Sequence, residues 1–119
     1  MSRQGSAFAL GAETSWDKPA DGVRRQVLGH GDDLMIVRVD FDVGAVGAVH
    51  HHAHRQATYI AAGRFEVSIG YERRVLNAGD SFFAAEGVPH GARALLAGTL
   101  IDAFTPARLD FLPTTPTEP

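Results

Sequence analysis

Four of the chain's six histidines, His50, His51, His52 and His54, fall within the stretch "GAVGAVHHHAHRQATYIAAGRF". Imidazoles packed this densely can hold a transition metal through neutral ring nitrogens. In an extended strand, residues two apart share a face. His50 and His52 therefore point the same way and can ligate one ion, whereas His51 points to the opposite side. The next ligand depends on whether the strand runs on unbroken. Gln56 or His54 can supply it, and parity alone leaves both open. His90 follows a turn, an apolar run and a second turn in "NAGDSFFAAEGVPH", and can reach the same place from a neighbouring strand. A lone histidine is ordinarily a surface or hydrogen-bonded residue, and that reading is kept for His51, His54 and His30. With no cysteine in the chain, thiolate sites and disulfides are excluded, so a metal must be held by His, carboxylate, amide or water.

The elements that must position these residues are short and alternate with period two. Val37, Val39, Phe41 and Val43 alternate with Arg38, Asp40 and Asp42, and Phe65, Val67 and Ile69 alternate with Glu66 and Ser68. Such stretches read as strands with one face in a core. Turn signals separate them, among them "GHGDD", "DVGAVG", "AAG" at 61–63, "NAGD", "EGVP" and "AGT" at 97–99. Many short strands at this spacing predict an all-β sandwich or small barrel. At 119 residues the chain fits one domain. The expected organisation is an N-terminal segment over residues 1–21, packing on the sheet or on a dimer partner, a barrel over 22–112, and a Pro/Thr-rich irregular tail over 113–119. A net charge of −3 provides no basic field, which argues against nucleic acid as a partner. No apolar run approaches the ~20 residues of a membrane span, and the N-terminus lacks a secretory apolar region, so no membrane partner and a cytoplasmic location are expected.

The arrangement resembles the cupin superfamily. Its first motif, G-x5-H-x-H-x3-E-x6-G, is matched by Gly44, His50, His52, Gln56 and Gly63, with glutamine in the glutamate position. Its second, G-x5-P-x-G-x2-H-x3-N, is matched by Gly79, Gly87 and His90, with Ala85 and Ala94 replacing the proline and asparagine. The resemblance implies a double-stranded β-helix, the cupin or jelly-roll barrel, with a metal inside. From about Gly22 to Leu112 the chain is most similar to the KdgF family of pectin degradation, through "HHHAHRQATY", "AGDSF", "VPHG" and "DAFTPARLDF". Ala53 and Arg55 depart from that pattern, which has proline and glutamate there. Arg55 is expected to bring positive charge close to the site.

By position, the resemblance implies His50, His52, Gln56 and His90 as metal ligands and Asp102, Phe104 and Arg108 as the catalytic set. It implies a metal-dependent enzyme that converts 4,5-unsaturated uronates, released by pectate or alginate lyases, to linear 5-keto forms, and a homodimer. Opening such a ring develops negative charge on the C5 oxygen, which a divalent cation stabilises as a Lewis acid. Three imidazoles and an amide are all neutral, so the cation keeps its full charge; a glutamate at position 56 would cancel part of it. Asp102, in "GTLIDAFTPAR", shares a strand face with Leu100 and Phe104. If that face is inward, the carboxyl can act as general acid or base. Phe104 would shape the pocket, and Arg108 would clamp the substrate carboxylate bidentately. Taken alone, an aspartate on a strand or an arginine after a turn is commonly a solvated residue. Thr58, Tyr59, Phe65 and Phe82 are expected in the core or cavity wall, and Glu86 at the surface. Affinity order favours Ni or Zn, with Fe, Mn or Cu also compatible with the donors. An iron oxygenase, an aldose isomerase or a sugar-binding module without turnover would share the three-histidine site.

Overall fold

Alternation in the sequence becomes alternation of burial. In the computed structural model, which describes residues 5–113, Met35, Val37, Val39 and Phe41 are buried while Ile36 and Arg38 between them are exposed. Eight strands form: β1 (Asp17–Ala20), β2 (Val23–His30), β3 (Met35–Phe41), β4 (Val46–His50), β5 (Arg55–Ile69), β6 (Glu72–Asn77), β7 (Ser81–Ala84) and β8 (His90–Thr105). Short 3-10 helices lie at Gly11–Glu13 and Leu109–Phe111. Val43, expected to continue β3, lies beyond its end and is exposed, because the chain turns at Gly44 with a positive φ of 82°.

All pairings are antiparallel, in the order β1-β2-β3-β8-β5-β6, with β4 on β8 and β7 on β5. The barrel depends on two long strands. β5 and β8 pair along most of their lengths, and their register slips between Ile60 and Phe65. One half of each lies beside β3 and β7, the other beside β4 and β6. "AAG" and "AGT", expected as turns, are instead facing kinks within these strands. Gly63 holds a φ of 87°, and a Cβ there would stand 2.6 Å from the Ala97 carbonyl oxygen. A Cβ on Gly98 would collide with the Ala62 carbonyl. Glycines let the two backbones touch and bend together, which folds one sheet onto itself. The fold is the single-domain, all-β cupin barrel.

The bend encloses a core in which Met35, Val37, Ile60 and Phe65 are wholly inaccessible, with Phe65 edge-on to Phe41 at 5.2 Å. Each such side chain contributes about 1.5–3 kcal/mol by burial. Of the expected 1–21 segment, residues 1–4 lie outside the described residues. β1 pairs with β2, and the buried Gln26 amide donates to the carbonyls of Gly11 (2.6 Å) and Thr14 (3.0 Å). At the other end, Phe111 and Leu112 pack partly buried against the core, and residues 114–119 of the expected tail lie outside the described residues. No described helix is long and apolar enough to cross a membrane.

Candidate metal centre and its surroundings

Three strand ends converge on the histidines. β4 ends at His50, β8 begins at His90, and the two are register partners. His52 follows in the link to β5, whose second residue is Gln56. Ligand atoms of His50, His52 and His90 all lie within 4.8 Å of one another. His51 is exposed and outside this group. His54 is outside it too.

The hydrogen bonds of these rings define what the centre can hold. Nδ1 of His50 lies 2.8 Å from the Ala48 carbonyl, that of His52 2.8 Å from the His54 carbonyl, and that of His90 2.9 Å from the Val88 carbonyl. A carbonyl only accepts, so each neutral ring carries its proton on Nδ1 and turns the Nε2 lone pair inward. Gln56 Oε1 then lies 3.2 Å from His52 Nε2 and 3.1 Å from His90 Nε2. Three acceptors therefore face one another, an arrangement that a cation relieves. The donor set of three nitrogens and one amide oxygen fits a divalent transition metal. Burial is the largest cause lowering the pKa of both His52 and His90, and the charges of His50 and Arg108 lower them further. Both shifts favour the neutral, ligating ring.

Gln56 is 6% exposed because Gln56, Thr58 and Ile60, alternate residues in the first part of β5, face the barrel interior. Arg55, on the opposite face, is exposed. The expectation that its charge sits at the site is thereby corrected: β5 runs unbroken through both residues, so their side chains diverge. Tyr59 shares the outer face and is 51% exposed, so it is not core.

Asp102, one layer deeper than Gln56, is buried at the register position opposite Thr58. Thr58 Oγ1 donates to its Oδ1 at 2.6 Å, and Gln56 Nε2 donates to the same oxygen at 3.3 Å. Burial pushes the carboxyl up to about 6, against the opposing pull of these two donors and of Arg108 and Arg25. A cavity of about 90 Å³ is bounded by Asp102, Gln56, His50 and His90, with Phe41 and Phe82 on its apolar side. A larger groove of about 550 Å³, among Trp16, Arg25, His30 and Asp110, does not include the histidine centre.

Phe104 is buried with its ring 5.8 Å from that of His52. Arg108 follows β8 and is no surface arginine: its side chain is 13% exposed, and its guanidinium lies 5.3 Å from the Phe104 ring and 4.2 Å from that of Phe111. Asp110 grips it side-on, Nε donating to Oδ1 at 3.0 Å and Nη2 to Oδ2 at 2.9 Å. This pairing is the largest cause holding the Asp110 carboxyl below its usual range. Sequence reasoning gave Asp110 and Phe111 no role, expected Thr58 only as core or cavity wall, and kept His54 as a surface or hydrogen-bonded histidine. Thr58 and Asp110 each lie two residues from a selected residue, a spacing that could have found them. Phe111 sits against Arg108, and His54 sets its ring 5.6 Å from His52 with a buried, unpartnered Nδ1.

Barrel and centre together define a cupin, and the cupin-domain family profile matches residues 37–99. Within that class the chain belongs to the KdgF family: it is 46% identical over 107 residues to the pectin degradation protein KdgF of Dickeya dadantii strain 3937, covering 88% of this chain and 97% of that protein. Two solved structures superpose closely. KdgF from Halomonas sp. is 41% identical with a TM-score of 0.85, covering 91% of this chain and all of that one (100%). An RmlC-like cupin from Shewanella frigidimarina NCIMB 400 is 44% identical with a TM-score of 0.89, covering 92% and 99%.

Proposed function

We propose that this chain is a metal-dependent enzyme of pectin or alginate breakdown that opens 4,5-unsaturated uronate monosaccharides to linear 5-keto-4-deoxyuronates. The observation that carries the reading is the grouping of Asp102, Phe104 and Arg108 around a three-histidine, one-glutamine centre in a chain 46% identical to a pectin degradation protein. His50, His52, His90 and Gln56 would hold the metal, whose Lewis acidity offsets the negative charge that develops at the C5 oxygen.

The remaining work falls to the chain's own groups. Opening the ring moves a proton off the anomeric hydroxyl as the bond between C1 and the ring oxygen breaks, leaving an enolate at C5. Forming the ketone then places a proton on C4. Asp102, bordering the cavity beside Gln56, is the carrier of that proton from one atom to the other. Arg108 holds the substrate carboxylate through the guanidinium edge that Asp110 leaves open. Phe104 packs the sugar face between the centre and Arg108.

The test is direct. Incubation with lyase-generated unsaturated galacturonate or mannuronate should remove the C4=C5 absorbance faster than the spontaneous reaction. A chelator should abolish the gain, and Ni or Zn should restore it. A rate equal to the spontaneous one, with metal supplied, rejects the reading; a rate that depends on dioxygen points to an oxygenase instead.

The chain is also proposed to form a homodimer. Supporting this, Ile36, Ala103, Ala57 and Phe83 stand in register across the outer face of β3, β8, β5 and β7, with Phe83 58% exposed. Light scattering should give twice the chain mass for the wild type and a monomer for Phe83→Glu.

A further inference from the structure

The amide of Gln56 can meet a cation with its oxygen or turn its nitrogen inward, and only the first makes it a ligand. Turned the second way, its NH2 would donate to the inward lone pairs of His52 and His90, a satisfactory arrangement with no metal. Some feature of the barrel must disfavour that alternative. Two acceptors do so on the far side of the amide. Gln56 Nε2 donates to Thr58 Oγ1 at 2.9 Å and to Asp102 Oδ1 at 3.3 Å, while the Thr58 hydroxyl spends its only proton on Asp102 at 2.6 Å. Thr58 is 1% exposed and cannot exchange these partners for bulk water. Reversing the amide would set its oxygen against both the Thr58 oxygen and the Asp102 carboxylate.

We propose that Thr58 is a positioning residue that, with Asp102, locks the Gln56 amide oxygen-first toward the metal centre. The proposal rests on the metal-centre reading and is independent of which sugar is turned over. The lock explains the need for an amide at position 56. A glutamate there offers no donor to Thr58 or Asp102 and places a second carboxylate beside the first. It also gives Asp102 a structural duty next to its proton-carrying one, since one oxygen receives both donors.

Metal affinity reads the lock without any substrate. Partners of this kind typically contribute 10–100-fold in metal affinity. Thr58→Val keeps the side-chain shape and the strand preference but removes the hydroxyl; Thr58→Ser keeps the hydroxyl and loses a methyl. If Thr58 serves only packing, valine binds metal like the wild type and serine is the weaker variant. The lock predicts the reverse order. In Co²⁺ titrations of the metal-stripped protein, followed by the visible cobalt spectrum, Thr58→Val should bind about 10–100-fold more weakly with a changed spectrum, and Thr58→Ser should stay within a few-fold of wild type. Circular dichroism should show both variants folded. Equal affinity and an unchanged spectrum for Thr58→Val overturn the lock. So does a wild-type chain that binds no cobalt, which rejects the metal centre as well. Loss of uronate turnover by the wild type alongside normal cobalt binding rejects the proposed reaction and leaves the lock standing.

Discussion

The histidine ring and the two polar arms beside it are held by different means. His50, His52 and His90 are each fixed by a main-chain carbonyl two residues away, in β4 for His50 and in the links just before β5 and β8 for the other two. Gln56 and Arg108 are fixed by other side chains, Gln56 by Thr58 and Asp102, and Arg108 by Asp110 and two aromatic rings. Backbone-held groups come with the fold. Side-chain-held groups come only with particular residues and are where one cupin can differ from another. Metal retention should therefore respond to changes in the histidines and in the partners that hold Gln56, and substrate affinity to changes around Arg108.

The largest effect should come from the ring. His90→Ala removes a proposed ligand that is 3% exposed and should abolish both metal retention and turnover, while the exposed His51→Ala should retain both; metal analysis of the purified variants checks this. Equal loss in both variants would break the ligand assignment.

Next come the arms. Arg108→Lys keeps the charge but cannot pair side-on with Asp110 while offering a second edge to a carboxylate. KM should rise about 10–100-fold with metal content unchanged, the size of one charged hydrogen-bonding arrangement. Asp110→Asn should raise KM in the same direction by less, since Arg108 keeps its stacking on Phe104 and Phe111. If kcat and metal content fall instead, the separation between ring and arms fails.

A smaller effect concerns stability of the metal-stripped protein. The Asp102 carboxyl is raised from 3.8 to about 6, so burial favours its protonated form. Its ionisation costs the fold nothing below pH 3.8, and the cost develops as pH rises to about 6. Asp102→Asn, which can still accept from Thr58, should raise the unfolding free energy at pH 7–8 by about 1–3 kcal/mol and leave it near wild type below pH 4. Thermal unfolding at several pH values measures the difference. The smallest effect is expected for Arg55→Glu, which restores the family's residue on the outward face of β5. Metal affinity and KM should change less than about twofold, as usual for a surface substitution.

Much of this was legible in the sequence where a strand obeys period two without interruption. The inward face of β3 followed from Val37, Val39 and Phe41; His50 and His52 do come together, but β4 ends at His50, so the link to β5 and not strand parity brings His52 there. The period-two rule already placed Arg55 opposite Gln56 and Tyr59 outside, yet charge and aromatic character suggested otherwise; burial in a strand follows position before residue type. Gly63 and Gly98 misled for a physical reason. A glycine permits a turn and a close strand crossing equally well, and only the partner strand decides which. His90 needed the family pattern because β4 and β8 meet from distant parts of the chain. The partnership of Thr58 with Asp102 spans 44 residues and arises only from the β5–β8 register.

In the proposed reaction this centre moves one proton from the anomeric oxygen to C4 of an unsaturated uronate. Proton NMR of metal-loaded protein with that substrate in water tests it most directly. The prediction is that the C4 vinyl signal gives way to the C4 methylene of the linear 5-keto product well above the spontaneous rate, and that Asp102→Asn, whose amide oxygen still accepts from Thr58 and Gln56, retains metal and falls to that background. A vinyl signal decaying at the same rate with and without the loaded protein would rule that reaction out.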